Sequence, residues 1–103
     1  MNRVWRQGDI SIVAINSMPL DASEIKHDGV LAYGEVTGHK HQITDGRVRF
    51  FRSERGNFFE VMSGFAFLRH EEHFDHKLPK GIYRWDRQRE ADWMNEVTRN
   101  VAD

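Results

Sequence analysis

Turn-forming residues punctuate this chain roughly every eight to twelve positions, and the stretches between them are too short for most helices. Gly8-Asp9, Met18-Pro19-Leu20-Asp21, Asp28-Gly29, Gly34 and Gly38, Asp45-Gly46, Arg55-Gly56-Asn57, Ser63-Gly64 and Pro79-Lys80-Gly81 all break the apolar pattern. The segments they bound alternate or are rich in β-branched and aromatic residues. Ile10, Ile12 and Ala14 share one face of a strand ending near Asn16, and Val30 to Tyr33 form a second short strand. His39 to Thr44 and Arg47 to Arg52 read as two strands joined at Asp45-Gly46, since glycine accepts the positive φ of a two-residue hairpin. Phe58 to Met62, Phe65 to His70 and Ile82 to Arg89 follow. Asp21 to Asp28 is polar and reads as a loop, with one helical turn at most over Ser23-Glu24-Ile25-Lys26. The spacing predicts an all-β, mainly antiparallel fold, a small barrel or sandwich, forming one domain over residues 1–103.

The C-terminus changes period. Trp93, Val97 and Val101 recur every four residues with Met94 beside them, which predicts a short helix from Ala91 to Val101.

Composition narrows the function. Fifteen basic and sixteen acidic residues give a net charge of −1, so no global field draws the chain to nucleic acid or an anionic membrane. Cysteine is absent, which excludes disulfides, thiolate metal sites and a cysteine nucleophile. The longest apolar runs are about five residues, far below the roughly 20 that span a bilayer. The N-terminus is polar and lacks the apolar core of a signal peptide. A soluble, cytoplasmic protein with no membrane partner is expected.

Six histidines stand out. His39 and His41 are two positions apart, so on a strand both imidazoles project from one face. His70-Glu71-Glu72-His73 forms a second group, with His76 close behind. On an extended chain, Glu71 and His73 share one face while His70 and Glu72 share the other. Either face adds an imidazole and a carboxylate to the first pair. Three histidines and a carboxylate suit a divalent ion such as Zn, Fe, Mn or Ni with an open position. The expected metal ligands are therefore His39, His41 and one of His70 or His73. Glu71 is expected as fourth ligand or general base, and Glu71 and His73 are the candidates for acid–base work. Metal-assisted hydrolysis and an oxygen-dependent reaction both fit such a centre. His27 and His76 read as structural.

The segment Gly34-Glu35-Val36-Thr37-Gly38-His39-Lys40-His41-Gln42-Ile43-Thr44-Asp45 resembles the first motif of cupins, in which a glycine precedes an H-x-H pair and an acidic ligand follows. The resemblance covers about a dozen residues. It implies a cupin-like barrel in which His39 and His41 bind metal, Asp45 stands where cupins usually carry glutamate, and His70 or His73 supplies the late histidine. The second cupin motif is not present in order, because Pro79-Lys80-Gly81 follows the histidines. The whole sequence is also similar to small uncharacterised bacterial and phage proteins, which implies no activity.

Two other functions compete. Arg47, Arg49, Arg52 and Arg55 lie among Phe50, Phe51, Phe58 and Phe59, and Arg84, Arg87 and Arg89 lie beside Tyr83 and Trp85. Arginines between aromatics can grip phosphates and stack bases. With a nucleotide or RNA ligand, His39, Lys40, His41 and a histidine of the second group would form a metal-independent ribonuclease or cyclic-nucleotide phosphodiesterase. Lys40 would point away from its two neighbours on a strand, which weakens that site. The plainer reading of the arginines is charged strand edges that block aggregation. The last alternative is a non-catalytic binding or regulatory module. A small-molecule ligand suits the metal reading, and exposure of Phe58, Phe59 and Trp85 would favour a homodimer.

Overall fold

The computed structural model describes residues 3–34 and 38–88. They form eight strands: β1 (Val4–Gln7), β2 (Ile10–Ile15), β3 (Ser23–Ile25), β4 (Val30–Tyr33), β5 (Lys40–Thr44), β6 (Val48–Ser53), β7 (Gly56–Arg69) and β8 (His76–Arg87). The fold is all-β and every pairing is antiparallel. The expected helix from Ala91 to Val101 lies outside the described residues.

The frame is the β7–β8 hairpin, with strands of 14 and 12 residues. One edge of β7 is shared by two shorter strands. Residues 56–61 pair with β6, and residues 67–69 pair with β5. Beyond them, β3 pairs with β6 and β4 with β5. On the other side, residues 82–87 of β8 pair with β2, which pairs with β1.

Three of the turn signals do something other than end strands. β5 and β6 do not pair with each other, so Asp45-Gly46 is not the expected hairpin. It is a corner at which one interrupted strand bends while running along β7. Ser63-Gly64 lies inside β7, where the register with β8 shifts between Val61 and Phe65. Pro79-Lys80-Gly81 lies inside β8, opposite that shift, with Val61 against Gly81 and Phe65 against Pro79. All three signals therefore sit at one level and bend neighbouring strands together, as bulges do. The Ser63 hydroxyl joins the bend: Oγ accepts from the Arg47 N–H at 3.0 Å and donates to the Phe65 carbonyl at 2.7 Å. Gly46 is required there because a Cβ would come within 2.8 Å of the Ala66 Cβ.

The bend folds the sheet over one core. Ile10 and Ile12 of β2, Phe50 of β6 and Tyr83 of β8 come from one side of it. Leu31 and Ala32 of β4, Ile43 of β5 and Leu68 of β7 come from the other. Each fully buried Ile or Leu contributes on the order of 1.5–3 kcal/mol. Phe59 and Tyr83 stack at 5.1 Å between ring centroids.

Two strands depart from expectation. Ser23–Ile25 is a strand on the edge of β6, not a helical turn. β1 was not expected at all. Its most buried residue is the polar Gln7 while Val4 is exposed, so no apolar alternation marks it. Phe58 and Phe59 are buried and Trp85 packs against the core, so these aromatics form no exposed surface of the kind that would favour a dimer.

Candidate metal centre

Three connections meet at one end of the folded sheet: the β1–β2 turn, the segment entering β5, and the loop from β7 to β8. They enclose a cavity of about 340 Å³. His39, His41, His70 and His73 all line it, with Asp9, Glu72 and Arg87. The sequence groups His39 with His41 by strand spacing, and both do face the cavity. His70 and His73 join them for a different reason than expected. The 70–75 stretch is a loop rather than an extended strand, so both rings reach one side. His70 is central, with ring centroids 4.3 Å from His41, 4.6 Å from His73 and 5.6 Å from His39.

His41 is the most constrained of the four. It is 3% exposed, and its Nδ1 lies 2.9 Å from Oε1 of Gln7, which is 2% exposed. The Gln7 amide nitrogen donates to the carbonyls of Leu68 at 3.1 Å and Phe74 at 2.8 Å. Those two bonds fix the amide's orientation, because a flipped amide would set its oxygen against two carbonyls. His41 Nδ1 must therefore carry the hydrogen, and Nε2 is left with a bare lone pair. Burial pushes the His41 pKa down to about 4, and the neighbouring His70 adds to this while Asp9 opposes it. The ring is thus neutral at pH 7.

Nε2 of His41 looks toward Oδ1 of Asp9 at 3.5 Å. The other carboxylate oxygen accepts from Arg87 Nε at 2.8 Å, and Arg87 Nη2 donates to the Tyr33 carbonyl at 3.1 Å. Between Gln7 and Asp9, Gly8 has φ +57. A Cβ there would lie 3.0 Å from His73 Nε2 and 3.3 Å from His41 Nε2, so both nitrogens converge on the space that glycine leaves open.

Glu71 lies on the outer side of His70. Its Oε2 accepts the Lys40 N–H at 2.9 Å, and that bond holds its carboxyl below the usual range. Donor atoms of His39, His70 and Glu71 lie within 4.8 Å of one another. Glu71 and Lys40 line an adjacent depression, not the histidine cavity. His39 Nδ1 lies 3.7 Å from Glu72, and His70 Nδ1 accepts the Glu72 N–H at 3.0 Å. Asp45, the acidic position implied by the cupin resemblance, sits at the sheet corner bound to Arg69.

The remaining histidines have structural partners. His27 stacks on Phe50 at 4.1 Å and accepts the Gly29 N–H, and His76 Nε2 lies 2.8 Å from the Arg6 carbonyl oxygen. Several arginines are also engaged: Arg49 with Glu24, Arg84 with Asp86, and Arg69 with Asp45 and Asp75. Phe50, Phe58 and Phe59 are buried and offer no stacking face.

Sequence reading missed Gln7, Asp9 and the cavity role of Arg87. Gly8-Asp9 was legible only as a turn, and Arg87 only as part of a basic run. Among the described residues, no helix is long and apolar enough to cross a membrane. The chain matches no curated protein and no solved structure. Residues 6–88, which take in every cavity-lining group from Gly8 to Arg87, match the family described as domain of unknown function DUF8820, and the chain belongs to that family.

Proposed function

We propose that this protein binds a divalent transition-metal ion in the histidine cavity, through His39, His41 and one or both of His70 and His73. The observation that carries this reading is the convergence of four imidazoles from two distant segments on one cavity. Neutral imidazole selects Zn, Fe or Ni over the harder Mg and Ca, and Mn is accepted where a carboxylate joins. Support also comes from His41, whose ring has the arrangement common to metal-bound histidines: one nitrogen donates to a fixed oxygen and the other is free to ligate. An H-x-H pair facing the open end of a β fold is in keeping with a cupin-like plan.

The test is the metal content of tag-free protein by mass spectrometry, as purified and after loading with Zn²⁺, Mn²⁺, Ni²⁺ or anaerobic Fe²⁺. Near-stoichiometric metal in the wild type and its loss in a folded His39→Ala/His41→Ala variant are expected. Wild-type protein that takes up none of these ions would sink the reading and direct attention to RNA and cyclic-nucleotide cleavage in EDTA.

A further inference from the structure

The geometry points to Asp9 as the acidic ligand of this ion, binding through Oδ1 opposite Nε2 of His41, with Gln7 as the residue that positions His41. The inference rests on the metal reading above and adds the β1–β2 turn to the site.

The first ground is a pairing that lacks a hydrogen. With the His41 proton committed to Gln7, Nε2 and the Asp9 carboxylate present lone pairs to each other. In this tautomer, two oxygen and nitrogen donors held face to face by separate parts of the fold can take a cation between them. Their 3.5 Å separation suits one. Ligands about 2.0–2.2 Å from a tetrahedral ion stand roughly 3.4 Å from each other.

The second ground is that each donor is held from behind. Gln7 is anchored to two carbonyls, and Asp9 is held through its other oxygen by Arg87, itself tied to Tyr33. Outer partners of this kind orient ligands in metal sites. Gly8 supplies the room, since any side chain there would fill the space on which the His41 and His73 nitrogens converge.

The third ground is the state of the rival acid. Glu71 is bonded to the Lys40 amide and faces the outer depression. Its nearer histidine, His70, has Nδ1 taken up by the Glu72 N–H. A neutral His70 therefore carries its proton on Nε2, and it would have to surrender a hydrogen bond or its proton to ligate.

The experiment is a Co²⁺ titration of the full chain, read by visible ligand-field absorption, on wild type, Asp9→Asn, Glu71→Gln and Asp9→His. Asp9→Asn should weaken binding by at least about tenfold, while Glu71→Gln stays within about threefold. Asp9→His restores a donor and should recover binding with a shifted absorption band, which separates a lost ligand from a damaged fold. In the metal-free wild type, two-dimensional ¹⁵N NMR should show His41 protonated at Nδ1. Wild type that binds no Co²⁺ removes the metal reading and this inference with it. Wild type that binds, with Glu71→Gln weakened as much as Asp9→Asn or with Asp9→Asn unaffected, overturns the role of Asp9 alone. A proton on His41 Nε2 overturns the role of Gln7.

Discussion

Gln7 and His41 lie 34 positions apart in the chain, yet the oxygen of one and Nδ1 of the other are 2.9 Å apart in the interior. The same Gln7 amide reaches Leu68 and Phe74, so one side chain joins β1, β5, the end of β7 and the loop beyond it.

Gln7→Leu keeps the volume and removes all three bonds. Two carbonyls and an imidazole N–H would then face a methyl-bearing side chain, and leaving buried polar groups unpaired costs about 1–3 kcal/mol. Urea denaturation of the metal-free variant should show a loss of roughly 2–3 kcal/mol. A loss under about 0.5 kcal/mol would mean that water replaces the amide and that Gln7 fixes nothing.

Gly8→Ala places a Cβ 3.0 Å from both His41 Cε1 and His73 Nε2, at φ +57. The left-handed backbone alone costs about 1–2 kcal/mol. Gly38 is also left-handed, at φ +86, but has nothing within 4 Å of its Cβ position. Both alanine variants should lower the thermal midpoint, and only Gly8→Ala should weaken Co²⁺ binding. Equal binding by the two would show that crowding at Gly8 does not matter.

Gly46→Ala crowds the Phe65 carbonyl and Ala66 at the sheet corner. Overpacking of this kind costs about 1–3 kcal/mol. Gly64, in the same bend, has open space around its Cβ position, and Gly64→Ala should stay within about 0.5 kcal/mol. Denaturant midpoints of the pair measure how much the corner depends on close backbone approach.

His27 gives a pH dependence away from the cavity. Burial against Phe50 lowers its pKa, partly offset by Asp28. Because the folded form resists protonation, the unfolded chain binds more protons once the pH drops through about 6.5. His27 therefore contributes stability that is present above that value and is lost as the pH falls below it. Protonation would also break the bond from the Gly29 N–H to Nδ1. Stability profiles from pH 8 to pH 5 should fall less steeply for His27→Phe than for wild type. Parallel profiles would show that His27 does not contribute to the decline.

What the sequence discloses follows from how local each signal is. The shared face of His39 and His41 is a property of any strand and needs no knowledge of the fold. Asp45-Gly46, Ser63-Gly64 and Pro79-Lys80-Gly81 announce a change of direction. Whether that change ends a strand or bends it depends on what β7 and β8 do alongside, which is not local. Gln7 is the extreme case: nothing about a glutamine near a chain end tells that its amide will be buried against residues 68 and 74. Asp9 shares that obscurity, since the turn that reveals it also explains it away. Glu71 attracted the acidic role by adjacency to histidines, while the carboxylate nearest His41 came from the opposite end of the chain.

The ion pair between Asp9 and Arg87 spans 78 positions, which sets an order of events during synthesis. At about 5–20 residues per second, Asp9 is joined to the chain roughly 4–16 s before the arginine that holds it. His39, His41, His70 and His73 are each made within that interval, before the strand that carries Arg87 is complete. The pocket closes only when β8 adds along β2, so its closure marks a chain translated at least as far as Arg87.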